Sequence, residues 1–153
     1  MSNYQRTAAW LAACGKEPGN RLHFSTQVGC HIEEVVELLT SIETTFTDEE
    51  VPEIAGALGI LTLVADALKS GTRHAQVSKP LEFLDALADC EVTGNGLAFL
   101  AGMDKDGADQ AVLDSNDSKF NEYGTPVILA GGKIGKSHLY IAPDLTPFLK
   151  AAQ

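Results

Sequence analysis

Glu34-x-x-Glu37 and Glu82-x-x-Asp85-x-x-x-Asp89 are the residues of this chain whose type and spacing point most directly to chemistry. Both sets lie inside otherwise apolar, helix-periodic segments, where a carboxylate is costly to bury unless a cation compensates it. Side chains three, four and seven residues apart share one face of a helix. No Lys or Arg stands three or four residues after any of these acids to neutralise it locally; Leu38, Ser41, Ala86 and Thr93 occupy those places. Two such faces brought together supply the hard oxygen donors that suit Mg²⁺, with Mn²⁺ as a substitute. The competing reading is a pair of solvated helix surfaces, the ordinary meaning of a single ExxE. Two stripes on two long helices favour a shared divalent-metal site. A diiron bundle needs Glu-x-x-His on two helices, and the chain has none. Zinc is disfavoured too, because His23, His31, His74 and His138 lack ligand spacing with one another.

The elements that must carry these stripes can be read from periodicity and breakers. A first helix is expected over 4–13, stopped by the Gly15 to Asn20 segment with its Pro18 and two glycines. A long second helix over 22–45 places Phe24, Val28, Ile32, Val35, Leu39 and Ile42 on one side. His23, Gln27, Cys30, Glu34, Glu37 and Ser41 form the strip beside it. Thr47-Asp48-Glu49-Glu50 predicts a capping segment, and a third helix over 49–70 is apolar on nearly every side. The fourth helix, opened by Pro80 and reaching about residue 102, has Phe83, Leu87, Cys90, Gly94 and Leu97 as its core face. A fifth helix is expected over 108–119. The tail from residue 121 turns β-prone, and Gly131-Gly132 between two such runs predicts a hairpin. The fold class is therefore all-α: a single domain over 1–153, with a four- to five-helix bundle over about 4–120 and an extended or hairpin tail over 121–153. A third helix apolar all round predicts burial at the centre of the domain or against another subunit, so a homodimer or homotetramer is expected.

His31-Ile32-Glu33-Glu34-Val35-Val36-Glu37-Leu38-Leu39, Glu82-Phe83-Leu84-Asp85-Ala86-Leu87-Ala88-Asp89 and Ser115-Asn116-Asp117-Ser118-Lys119-Phe120 follow one another in an informative order. With Gly132-Lys133-Ile134 and Pro143-Asp144-Leu145, that order resembles the MazG-like, all-α nucleoside triphosphate pyrophosphatase superfamily, in particular its short phage-type members. The likeness covers roughly residues 22–145. It implies Mg²⁺-dependent hydrolysis of a (deoxy)nucleoside triphosphate to the monophosphate and pyrophosphate, in the service of nucleotide-pool house-cleaning. By the same resemblance Glu34 and Glu37 pair with Glu82 and Asp85 as metal ligands, and Asp89 is a further ligand or orients the attacking water. Glu37 or Asp89, where not used in ligation, is the candidate base that accepts the water's proton. Lys119 is the phosphate partner the resemblance favours, with Asn116 beside it; a solvated lysine at a helix end is an equally good account. Lys133 and Lys136 lie in a Gly-rich turn able to close over phosphates, though a plain hairpin loop explains them as well. Gln27 and His23 precede Glu34 on its strip and are candidates to read the base. Trp10 and Phe24 are more naturally core residues than stacking surfaces.

Composition narrows the partners. A net charge of −10 argues against a nucleic-acid polymer, since backbone binding needs clustered Lys and Arg. It allows a nucleotide whose charge is bridged by metal. No uninterrupted apolar run reaches the roughly 18 residues of a membrane span, and no signal peptide is recognised at the N-terminus. Cys14, Cys30 and Cys90 form no C-x-x-C pair and are odd in number, so reduced thiols and a cytoplasmic setting without membrane attachment are expected. Two other classes remain: a catalytically weak nucleotide or alarmone sensor on the same fold, and a helical scaffold whose acids are surface.

Overall fold

A computed structural model describes residues 1–129 and 132–149. Its regular structure is helical: α1 (Asn3–Ala13), α2 (Arg21–Thr40), α3 (Val51–Lys69), α4 (Pro80–Leu100) and α5 (Lys105–Asp117), with a 3₁₀ turn at Thr146–Phe148. The all-α class expected from the sequence is what the chain adopts. Each start has a local cause. Ser2 and Gln5 form a reciprocal capping box at α1. The Asn20 side chain accepts from the amides of Leu22 and His23 at α2. Pro80 occupies the first turn of α4, and Asp104 accepts from the Gly107 amide at α5.

Several features differ from the sequence expectation, the start of α3 at Val51 rather than 49 among them. α2 ends at Thr40 rather than residue 45, because hydroxyls take up its last carbonyls. Thr40 Oγ1 donates to the Val36 and Glu37 carbonyls, and Ser41 Oγ donates to that of Leu38. α5 begins at Lys105 rather than 108, set by the Asp104 cap. The tail forms no regular strand among the described residues. It shows isolated bridge residues, among them the antiparallel pair Phe120 and Pro126, and turn bonds such as the Leu129 amide to the Lys133 carbonyl at 2.8 Å. Ala130 and Gly131, where the expected Gly-Gly turn begins, lie outside the described residues.

The chain divides into two compact units. One comprises Lys16–Gln76 with the short segment Ile128–Lys133; the other comprises Met1–Gly15, Val77–Val127 and the tail from Ile134 onward.

In the first of these, α2 and α3 pack antiparallel, the start of α2 against the end of α3. Their crossing is built from small side chains: Ser25 is fully buried, Gly29 is buried, and Ala65 is 1% exposed. A Cβ added at Gly29 would stand 2.7 Å from the Ala65 carbonyl oxygen and 3.0 Å from the Lys69 amide. Ser25 Oγ donates to the Arg21 carbonyl at 2.7 Å and accepts from the Ala75 amide at 2.9 Å, tying the segment after α3 back onto α2. Beyond the crossing the helices are much less covered. Val35, Leu39 and Ile42 of the expected α2 core face, and Ile60 and Leu63 of α3, are exposed.

In the other unit, α1 lies along α5 through polar contacts. Arg6 bridges Asp114 at 2.5 Å and Asp117 at 2.6 Å, and Trp10 Nε1 donates to the Asn116 carbonyl at 2.9 Å. Trp10 also meets Phe120 edge to face, ring centroids 6.4 Å apart. The 3₁₀ turn is seated on the start of α5, where the Phe148 carbonyl accepts from the Asp104 amide. α4 has no buried residue; the expected core positions Phe83, Leu87, Cys90 and Leu97 are all exposed.

Because the α2–α3 crossing tolerates no side chain at position 29, Gly29→Ala should destabilise the Lys16–Gln76 unit by about 1–3 kcal/mol. Urea unfolding followed by circular dichroism measures this; stability equal to the parent's would contradict a close helix crossing.

Candidate functional site

The two acidic stripes fall in different units: Glu34 and Glu37 on α2, and Glu82, Asp85 and Asp89 on α4. All five are exposed. Among the described residues no ion pair engages Glu37, Glu82, Asp85 or Asp89. Also among the described residues, no group of three or more His, Cys, Asp and Glu side chains is placed to hold a metal ion. Glu34 and Glu37 alone form a two-carboxylate face. That suits the way Mg²⁺ is usually held, by one or two carboxylates with waters and substrate phosphates completing the shell.

Glu33, the acid next to this face, behaves differently. Its carboxylate accepts from Lys69 Nζ at 2.6 Å and lies 3.4 Å from Lys133 Nζ, while Lys69 is also 3.1 Å from Asp66. The Lys69 hydrogen bond holds the Glu33 carboxyl below the usual carboxylate range, and the same bond raises Lys69. Glu33 is thus occupied in joining α2, α3 and the Ile128–Lys133 segment. Lys133, a candidate phosphate ligand by sequence, is this pair's third member. Lys16 donates to the Gly132 carbonyl in the same place. Burial pushes the Cys30 thiol up, which keeps it protonated and makes it a packing residue rather than a nucleophile.

The base-reading candidates sit near the start of α2. Gln27 is exposed, whereas His23 Nδ1 accepts from the Glu17 amide at 3.1 Å, fixing its ring against the preceding turn.

The remaining candidates gather at the end of α5. Lys119 Nζ donates to Asn116 Oδ1 at 2.8 Å and lies 5.6 Å from the Trp10 ring centroid. Asn116 thereby orients Lys119 while its own carbonyl holds Trp10. Two tail residues join them. Lys136 Nζ stands 4.4 Å over the Tyr140 ring, and the Tyr140 hydroxyl is lowered in pKa by the Ser115 hydroxyl first, then by the positive charges of Lys136 and Lys119. Tyr140 has no part in the sequence reading; its only signal there is a position four residues after Lys136. Trp10, edge-on to Phe120 with its N–H already donated, is a structural residue.

Compared with protein-family profiles, with curated proteins and with solved structures, the chain matched none of them.

The Glu33–Lys69 pair fixes a pH dependence. Glu33 is lowered on folding, so its stabilisation is present above the ordinary glutamate range and disappears as pH falls through its lowered value. Lys69 is raised, so its share is lost only on the alkaline side of the ordinary lysine range. Glu33→Gln should cost about 0.5–1 kcal/mol at pH 7, as expected of a partly exposed pair. Denaturation at pH 7 and at successively lower pH should show that difference shrinking once the pH drops below the ordinary glutamate range; a cost unchanged down to the acid limit of folding would contradict an electrostatic origin.

Proposed function

We propose that this chain is a Mg²⁺-dependent nucleoside triphosphate pyrophosphohydrolase of the MazG-like kind, acting on a nucleotide pool in the cytoplasm. The observation that carries the reading is the contrast along α2 and α4. Glu33 is consumed by Lys69, while Glu37, Glu82, Asp85 and Asp89 stand exposed with no ion pair among the described residues. Carboxylates left so in helix-periodic apolar segments are well explained as ligands held for a cation. No disulfide joins cysteines among the described residues, in keeping with the proposed reducing compartment.

Glu34, Glu37, Glu82 and Asp85 are the proposed metal ligands. When bound, Mg²⁺ supplies charge neutralisation for the triphosphate and the departing pyrophosphate. A water attacks the α-phosphorus, the bond from that phosphorus to the bridging oxygen breaks, and pyrophosphate leaves. Glu37 or Asp89 takes the water's proton. Lys119, oriented by Asn116, holds a phosphate, while Gln27 and His23 face the base.

The active form is proposed to be a homodimer or homotetramer. Leu81, Leu84, Phe99 and Leu100 on α4, with Ile60 and Leu63 on α3, are each more than 60% exposed. α3 is also long and apolar enough, by length and composition alone, to cross a membrane. Its Lys69 and Asp66 are held in the Glu33 network, and a second subunit accounts for its apolar face without a bilayer.

Two outcomes follow. Pyrophosphate release from a panel of nucleoside triphosphates should require Mg²⁺ and should fall at least about 10²-fold in Glu37→Gln and in Asp85→Asn, with circular dichroism unchanged. Parent-like rates in both variants would remove the metal assignment, and binding without turnover in the parent would leave the sensor reading. Light scattering at micromolar concentration should give a mass at least twice that of the 16.2 kDa chain; a monomer would refute the assembly.

A further inference from the structure

The chain carries 21 acidic residues against 11 Lys and Arg. Among the described residues Arg6, Lys69, Lys105 and Lys133 pair with carboxylates, whereas Lys16, Arg21, Arg73, Lys79, Lys119 and Lys136 make no ion pair. Of these six, Lys119 and Lys136 lie in one unit and act on the same tail residue. Glu122, the acid of the adjoining tail, lies 3.2 Å from His138 instead.

Lys119 and Lys136 both converge on one phenol. Lys136 Nζ lies over the Tyr140 ring, and both ammonium groups act electrostatically on the Tyr140 hydroxyl. Positive charge from two lysines around one phenol favours an anion shared among them. The protein arranges this placement at some effort. Ser115 Oγ donates to the Ile141 carbonyl at 2.7 Å, Ser118 Oγ accepts from the Ile141 amide at 2.8 Å, and Ser137 Oγ donates to the Phe120 carbonyl at 3.0 Å. Three serines thus fasten the segment bearing Lys136 and Tyr140 to the end of α5. Lys119 and Tyr140 are half-buried and Lys136 is exposed, so the cluster is held on one side and open on the other.

We propose that Lys119, Lys136 and the Tyr140 hydroxyl form a binding site for a doubly charged phosphoryl oxyanion, such as the terminal phosphate of a nucleotide or of pyrophosphate. Two ammonium donors and one phenolic donor match a tetrahedral dianion better than a singly charged carboxylate. The site rests on the reading of Lys119 as a phosphate partner and adds Lys136 and Tyr140 to it. It requires no divalent metal.

Trp10 is the single tryptophan of the chain, and Lys119 sits over its ring, so its emission reports on the cluster. Pyrophosphate titrated in the presence of EDTA should change Trp10 fluorescence saturably, and sodium chloride of equal ionic strength should not. Lys136→Gln and Tyr140→Phe should each weaken pyrophosphate binding about tenfold, the effect of one charge-assisted hydrogen bond. Inorganic phosphate should compete. No saturable response in the parent, or parent affinity in both variants with unchanged circular dichroism, overturns the site. The metal assignment is judged separately by turnover. Metal-free pyrophosphate binding without turnover leaves the oxyanion site standing and removes the hydrolase, whereas Mg²⁺-dependent turnover without metal-free binding does the reverse.

Discussion

A helix of twenty residues presents far more side-chain surface than a single neighbour can cover, and this constraint shapes each unit of the chain. α2, α3 and α4 span 20, 19 and 21 residues. Burial is therefore concentrated where backbones approach most closely, at Ser25, Gly29, Ala65 and Leu68. Small side chains do there what a broad apolar layer does in larger domains, trading volume for proximity. Away from the crossing, the apolar faces of α2, α3 and α4 stay open to solvent within the single chain.

Polar contacts take over where apolar burial is thin. Arg6 with Asp114 and Asp117 joins α1 to α5, and Glu33 with Lys69 and Lys133 joins α2, α3 and the short returning segment. Such pairs contribute modestly to stability but fix orientation because one charged group is shared between two partners. They also sort the acids of the chain. Glu33 and Asp66 are engaged in a clasp, whereas Glu37, Glu82, Asp85 and Asp89 make no ion pair among the described residues.

Helix existence and order were legible from period, caps and breakers; where each helix stops was less so. The Leu22-to-Ile42 periodicity gave no sign that Thr40 and Ser41 would capture the final carbonyls, since side-chain competition for the backbone is a local choice hidden beneath a continuing apolar pattern. Asp104 carried a readable cap signal, but the Gly at 107 obscured it. The stripes themselves are visible because helical spacing is local. The Glu33 clasp is not, because its partners stand 36 and 100 residues away. Tyr140 was silent for the same reason: nothing in its neighbourhood announces that Ser115 and Lys119 lie beside it.

The connectivity of the units has a consequence for biosynthesis. Residues 16–76 are contiguous, so α2 and α3 can meet as soon as both have left the ribosome. α1 cannot, because Arg6 must wait for Asp114 and Asp117, partners 108 and 111 residues downstream. α1 is thus made before α2 and α3 but docked after them. It remains an unaccompanied amphipathic segment until α5 has been made, and its polar clasp closes only then.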